Sequence, residues 1–569
     1  MKRHWRKTTP FFLAMILTVS VVLSGCSGSN NDPEQSTDAT TNQPEETQSG
    51  SDVTLPDSAD LPYNPVKTIT TYACDSGSPL PNGETLEDNV FTRWSEETLG
   101  IKTEYLWVAP TQDDACTNKM RLEIAAGNNL PDIISSYDYK LLEDFVATGQ
   151  FQEIQPNFDK YASDTFKLGY EQHPEVWNVG KIDGKQMILP FIEAAYQNDP
   201  VLWIRKDWMD KLGLEPPKTM SDLEAMMEVF KNSDPDGNGK NDTIPLALSL
   251  KEYFSNMMGD AEWILGNYGA LSGYGTAQGV WLEKDGKLVN ADLQPEVKEG
   301  LSKIKEWMDL GYIDQEVAMQ NTFDAGTLFT SGKAAIIPAA FWVPRWPFST
   351  DFTDPTAEYE AYPLPTADDG TSMHLTTSIA NGGFIINKNF KDLDVLYTLL
   401  NRVYEYADPK PGSEFEYGFA EGYDYKLNED GTVSYDLEEA FEPISYNGII
   451  PKPQMPDLEL SFYSQYVHGE VEPSNLREQQ WVSDEVTLQA GAAAYDQKDS
   501  SVQSAYNGPD TQTMKDKGEL LKKIVMDAYI KIIYGEKPLD YFDEMVEQYN
   551  KQGGTQLEQE VNEWYSANK

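Results

Sequence analysis

Residues 202–226 read LWIRKDWMDKLGLEPPKTMSDLEAM, with Val201 just before them. Val201 to Arg205 is an apolar run that reads as a strand, and the chain passes from it directly into a helix ending at Leu212 and Gly213. Pro216 to Met220 then opens a second helix. Trp203 and Trp208 fall where a strand and its helix pack, so both are expected in a core. The same alternation continues upstream. Val66–Ala73 reads as a strand, Leu86–Leu99 as a helix, Ile101–Val108 as a strand, 113–127 as a helix, and Asp132-Ile133-Ile134 as a short apolar strand. Strand and helix in alternation predict an α/β sheet, whose ligand crevice lies in the loops that follow the strands. Cys74 ends one of these strands and Cys116 opens the helix after the next, which leaves open either one disulfide or two inert thiols.

The chain has 569 residues, of which the first carry Lys2, Arg3, Arg6 and Lys7 with no acid, followed by an apolar run from Phe11 to Leu23. That layout is a secretory signal, and the run is short for a membrane span. It closes on Leu23-Ser24-Gly25-Cys26, which resembles the bacterial lipobox, so residues 1–25 are expected to be removed and Cys26 to carry a lipid. Residues 26–62 are rich in Ser, Asn, Asp, Thr, Gln, Glu and Pro and cannot bury enough apolar surface to fold. As a flexible coil this spacer reaches on the order of 30 Å. The roughly 500 residues that remain exceed one ordinary core, so two large lobes are expected.

Formal net charge is −49, or −53 once the four basic residues of the leader are gone. A chain this acidic repels nucleic acid and anionic lipid surfaces, and its only membrane attachment would be the lipid. Aromatic residues make up 12%, including 13 Trp and 31 Tyr, which supply flat faces for packing or for a ligand.

Four segments carry a resemblance. DGKQMILPF at 183–191, the opening stretch at 202–226, LFTSGKAAIIPAAFW at 328–342 and GGFIINKNFKD at 382–392 stand in the order and spacing of extracellular solute-binding proteins of carbohydrate ABC importers, the maltose-binding and alginate-oligosaccharide-binding types. The resemblance covers residues 63 to about 400 and extends to the last 170 only as a helical, aromatic-rich tail. It implies an α/β, two-lobe periplasmic-binding-protein-like fold with an interlobe cleft and a helical C-terminal region. The first lobe would comprise 63–197 and 381–470, and the second 198–380 with most of 471–569. Crossings between lobes are expected near 195–200 and 376–384, with a third later. The implied ligand is a sugar, expected as an oligosaccharide, and the implied partner is a membrane permease on another polypeptide; the chain itself is expected to be a monomer.

Asp234-Pro-Asp236-Gly-Asn238-Gly-Lys240-Asn-Asp242 places oxygen-bearing side chains at positions 1, 3, 5 and 9 of a loop, with the Lys240 carbonyl at position 7. Alternate residues in a tight loop give calcium its hard oxygen ligands, and three acids so close together call for a cation. Calcium bound by Asp234, Asp236, Asn238, Lys240 and Asp242 is the expectation, in a structural role. The pattern is incomplete: position 12 is Pro245, and Thr243 stands where alginate-binding relatives carry a chelating glutamate.

Sugars offer hydroxyls at their edges and C–H groups on their faces, so their sites pair aromatic rings with short polar groups. Trp342, after the strand Ala334–Pro338, matches the family's stacking tryptophan. Ser136, Tyr137 and Asp138 lie on the loop the family directs at ligand from the first lobe, and Asn198 stands where the maltose-binding type has a carboxylate. Tyr253 and Trp263 flank a stretch of the second lobe where relatives carry a stacking aromatic; Trp281 reads as a hairpin residue at the lobe surface. A secreted glycoside hydrolase is the rival reading, since two carboxylates suffice for that chemistry. A binding protein for peptides, or one that presents ligand to a sensor kinase, is another. Against an enzyme, the chain shows no Gly-x-Ser-x-Gly, phosphate loop or His-Glu-x-x-His, and its four His residues are scattered singly, with His173, His374 and His468 expected at the surface or in hydrogen bonds.

Overall fold

The computed structural model describes residue 55 and residues 60–568, apart from 78, 113–114, 128–129, 252, 274–278, 436 and 438–440. The expected signal peptide, Cys26 and most of the spacer lie outside the described residues. In chain order the elements that position the site are β1 (Lys67–Asp75), β2 (Ile101–Pro110), α1 (Ala115–Ala126), β3 (Ile133–Ser136), α2 (Tyr139–Val146), β4 (Phe151–Gln152) and β5 (Leu189–Ile192). Next come β6 (Pro200–Arg205), α3 (Lys206–Leu212), α4 (Met220–Asn232), β7 (Ile244–Leu246), α5 (Glu262–Gly266), α6 (Val297–Asp309), α7 (Thr322–Thr330), β8 (Ala334–Ala340), β9 (Tyr359–Tyr362) and β10 (His374–Leu375). They are followed by β11 (Ala380–Asn387), α8 (Leu393–Ala407), α9 (Leu458–Val467), α10 (Leu476–Ser483), α11 (Glu485–Asp496), β12 (Ser501–Val502), α12 (Gln512–Ile533), α13 (Tyr541–Tyr549) and α14 (Thr555–Asn568).

Two sheets with separate cores form two lobes. In the first, β11 lies between β3 and β4 and also pairs with β5, all antiparallel to it. Ile133, Leu189, Phe384 and Ile386 from these strands pack against Leu399, Leu400 and Val403 of α8. Parallel β1 and β2 form a separate ribbon, and the Cys74–Cys116 disulfide ties β1 to α1. Of the two readings left open for these cysteines, the structure takes the bond.

The second sheet runs β9–β6–β8–β7. Every residue of β6 is buried, because helices cover both of its faces. Side chains alternate across a strand. Leu202 and Ile204 accordingly enter the core built with α4, α6 and α12, while Val201 and Trp203 enter the core built with α9 and α11. Gly213 takes the left-handed φ of 66° that ends α3, as the sequence predicts.

The chain passes between sheets after β5, after β10 and again before α9. The expected first-lobe segment 381–470 divides at about residue 457, because Leu460, Phe462 and Tyr463 of α9 are core residues beside β6 and β8. An amphipathic helix goes where its apolar face is covered, and spacing along the chain did not carry that information.

Candidate functional site

The three crossing segments are stitched to one another. The Glu193 N–H donates to the Ile379 carbonyl at 2.8 Å, and the Ala195 N–H to the Pro456 carbonyl at 2.7 Å. The Ala194 N–H donates to Gln454 Oε1 at 2.9 Å, and the Asn381 amide donates to Glu193 Oε1 at 2.6 Å. Ala194, Gln454 and Met455 form one end of a cavity of about 1170 Å³. Chain that follows α8 supplies one wall, with Tyr417, Tyr435 and Phe441; Arg345, the start of α9 and the helix α10 with Trp481 supply the other. The cavity is therefore bounded by chain attached to both lobes and contains rings, amides and charges together.

Its charges are largely matched. The Arg345 guanidinium donates to Asp484 at 3.2 Å, Glu459 at 3.5 Å and the Tyr463 hydroxyl at 3.1 Å. Lys452 pairs with Glu442 at 2.5 Å. Asp424 accepts the Phe419 and Ala420 N–H groups at 2.7 and 2.8 Å, and burial raises its pKa above the usual carboxylate range.

Of the residues expected to face ligand, Tyr137 is 59% exposed, with its ring edge-on to Phe191 at 5.8 Å. Gly382 packs against it, with φ of 76°; a Cβ there would lie 2.6 Å from both Tyr137 Cα and the Ser136 carbonyl, so glycine alone lets β11 pass this loop. The Ser136 hydroxyl accepts the Asp138 N–H, and Asp138 caps α2 by accepting the Leu141 N–H at 3.1 Å. Asn198 is half-buried in the first crossing. Trp342 is half-buried and lies nearly parallel, at 15° and 6.3 Å, to Trp346, which is 50% exposed. Tyr253 is half-buried, and the Lys522 ammonium sits 4.2 Å from its ring centroid.

Trp263 corrects the expectation. It is fully buried, its indole N–H donates to the Asp260 carbonyl at 3.1 Å, and its ring packs on Trp307, so no face is open to a ligand. Trp281 does begin a hairpin, but it is 1% exposed and belongs to the core rather than the surface. Trp203 and Trp208 are core residues, as expected.

The loop at 234–242 curls through Gly237 and Gly239, both at positive φ, and Asp234 itself takes φ of 46°. Gly239 N–H donates to Asp234 Oδ2 at 2.9 Å. The Asn238 amide nitrogen, rather than its oxygen, lies between Asp236 and Asp242, at 2.7 and 2.9 Å. Among the described residues, no group of three or more His, Cys, Asp or Glu is arranged as a metal ligand set. Asp234 Oδ1 is buried with no hydrogen-bond partner among the described residues.

A cluster the sequence did not signal lies at the crossings. Asp199 and His374 are 0% and 1% exposed, with His374 Nε2 at 3.0 Å from Asp199 Oδ2; the Ser501 hydroxyl donates to the same oxygen at 2.7 Å and lies 2.9 Å from Nε2. A hydrolytic triad uses opposite ring nitrogens for the acid and the serine, whereas here Nε2 meets both. Next to it, the Leu375 N–H donates to Glu262 at 2.8 Å. Burial, reinforced by the charge of Asp260, pushes the Glu262 carboxyl well up, and burial raises Asp260 to about 6. These side chains meet across more than a hundred residues of sequence, which no local pattern encodes.

The family profile described as "Bacterial extracellular solute-binding protein" matches residues 77–401. The polygalacturonan/rhamnogalacturonan-binding protein YtcQ of Bacillus subtilis (strain 168) is 25% identical over 493 residues, 83% of this chain and 87% of its own. The fructooligosaccharide ABC transporter substrate-binding protein FusA of Streptococcus pneumoniae serotype 4 is 28% identical over 313 residues, 53% of this chain and 52% of its own. A solved structure titled as an HMO-binding, ABC-transporter-associated solute-binding protein, from Bifidobacterium longum infantis, shares the fold with a TM-score of 0.61 at 18% identity, covering 88% of this chain and 98% of its own.

Proposed function

Because the chain belongs to the family of bacterial extracellular solute-binding proteins, we propose that it is a receptor that captures an oligosaccharide between its lobes and hands it to an ABC permease. The observation that carries this reading is the cavity of about 1170 Å³ bounded by both lobes, in which Tyr417, Tyr435, Phe441 and Trp481 offer flat faces and the glutamines of α10 offer hydrogen bonds. Rings pack against sugar faces while amides meet hydroxyls, and the three stitched crossings give the lobes a common hinge. A sugar that touches both walls favours the closed form by its differential contacts, and the permease would read that form. The ligand leaves unchanged, and the polypeptide acts as a monomer. Lipidation of Cys26 would hold the receptor at the outer face of the membrane of a cell without an outer membrane, with the spacer giving it reach.

The test is a thermal-shift screen of the mature chain carrying Cys26→Ser against oligosaccharides and peptides. A bound ligand raises the melting temperature by mass action. Stabilisation by sugar is expected; stabilisation by peptides alone, or release of shortened sugar, would overturn the reading.

Calcium at residues 234–242 belongs to the same proposal. The buried Asp234 Oδ1, with no hydrogen-bond partner among the described residues, supports a cation there; Asp236 and Asp242, which now accept from the Asn238 amide nitrogen, would join it once that amide turns its oxygen inward. Asp234, Asp236, Asn238, Asp242 and the Lys240 carbonyl would hold it, and it would staple α4 to β7 rather than take part in ligand chemistry. Chelator is expected to lower the melting temperature of the native chain and to leave Asp236→Ala unmoved; a native chain indifferent to chelator would refute the site.

A further inference from the structure

Among the described residues, the cations that line the cavity are Arg345, Lys452 and Arg477, and their bonds run in different directions. Arg345 pairs with Asp484 and Glu459, within the second lobe, and Lys452 pairs with Glu442, both in the chain that follows α8. Arg477 reaches across. Its helix, α10, is fixed to the second lobe by Trp481, whose ring packs on Phe462 and Tyr463 of α9 at 5.7 and 6.0 Å. The two terminal nitrogens of Arg477 donate to the carbonyls of Tyr406 and Ala407, at 2.8 and 2.9 Å, and its guanidinium lies 5.0 Å from the Tyr406 ring centroid. Those carbonyls end α8, whose side chains belong to the core of the first lobe.

We propose that Arg477 is the latch of the closed form, a positioning residue that holds α10 against the end of α8 and so sets the angle between the lobes. The proposal rests on the lobe closure of the receptor reading and on no particular ligand. The last carbonyls of a helix lack a partner within it, and a cation there also meets the negative end of the helix dipole. The planar guanidinium satisfies two of these acceptors at once and stays charged at physiological pH. The stitched crossings join the lobes by main chain and leave a hinge free to bend, so a contact between α10 and α8 is what fixes the closed angle. Arg477 is half-buried and its hydrogen bonds are polar, so water can take over both when the lobes part. That makes the contact a latch rather than a permanent brace. Because it needs no ligand, the cavity walls stand assembled before a ligand arrives, and a binding-competent form is already populated.

The test is small-angle scattering of the mature Cys26→Ser chain without ligand, in native form and as Arg477→Ala. Losing two charge-assisted hydrogen bonds should lower the closed-to-open ratio about 10- to 100-fold. The radius of gyration should then rise by about 1 Å, on about 24 Å for the folded part, as the lobe centres separate by about 4 Å. Arg477→Gln keeps one uncharged donor, should fall between the two, and decides the matter if the alanine variant does not fold. A variant that melts lower but keeps the native radius shows a fixed brace at the end of α8 and overturns the latch. The same curves and melting temperatures are recorded with 1-kestose, maltotriose and trigalacturonic acid. A sugar that contracts the native chain, beside a variant of native radius, refutes the latch and leaves the receptor standing. Expansion of the variant, with no sugar bound in this panel or in the wider screen, refutes the sugar receptor and leaves the latch.

Discussion

Two tryptophans of the second lobe should respond to truncation in opposite ways. Trp263 is fully enclosed, so Trp263→Ala removes about 200 Å² of buried surface, worth about 5 kcal/mol by area, within the usual 3–5 kcal/mol for a buried aromatic. The second lobe holds roughly 290 residues, which gives an unfolding entropy of about 0.6 kcal/mol/K and a fall in melting temperature of about 8 °C. If both lobes melt together, the same loss spreads over about twice the chain and the fall is about 4 °C. Sugar affinity at 25 °C should stay within about threefold, because no face of the ring reaches the cavity. Trp342 is half-buried beside the exposed Trp346 and is not among the residues that line the cavity, so Trp342→Ala should move the melting temperature by only about 2 °C, and should weaken sugar about tenfold if its ring stacks on the ligand as the resemblance implies. Calorimetry of unfolding and of binding on both variants gives the four numbers. A Trp263→Ala protein that melts normally but no longer binds sugar would refute the placement of that ring in the core.

Replacing Cys74 and Cys116 by serine opens a cross-link that spans 42 residues, which by loop entropy costs the first lobe about 4 kcal/mol; denaturant titration should show the loss, and an unchanged midpoint would count against the bond. His173 is held charged by Asp457 and by Glu175, at 3.2 and 2.9 Å, with burial opposing them, and its pKa rises to about 9. A raised pKa gives stability that is full below the unfolded value of about 6.5 and fades as pH climbs through 9. His173→Gln should therefore lower the melting temperature at pH 6 and have little effect at pH 10; an equal loss at both would show that packing, not charge, is at stake.

Strand and helix were legible because burial on both faces forces an apolar run such as β6, and because Gly213 marks where α3 ends. Two lobes followed from the length, and the binding-protein fold from the resemblance. Trp263 and Trp342 could not be told apart, since the sequence specifies an aromatic ring but not the depth at which it ends up. The cavity walls escaped notice for a different reason. The described residues between 408 and 457 contain little regular structure, and Arg477 finds Tyr406 and Ala407 across seventy residues through main-chain carbonyls, which every residue possesses. The division of 381–470 was missed because α9 is equally plausible against either lobe until its partners are known.

The strand at the middle of the first sheet, β11, pairs Ile385 with Ile134, a separation of 251 residues, and all four strands of the second sheet lie between them. Contacts so distant along a chain form late, because the loop they close must be gathered first. The first lobe is therefore an unfinished sheet until nearly 390 residues are available, and it cannot be cut free as a fragment by any single cleavage. A polypeptide destined to be threaded outward gains by this order of events, since the half that emerges first has nothing to fold around until the second half has followed it.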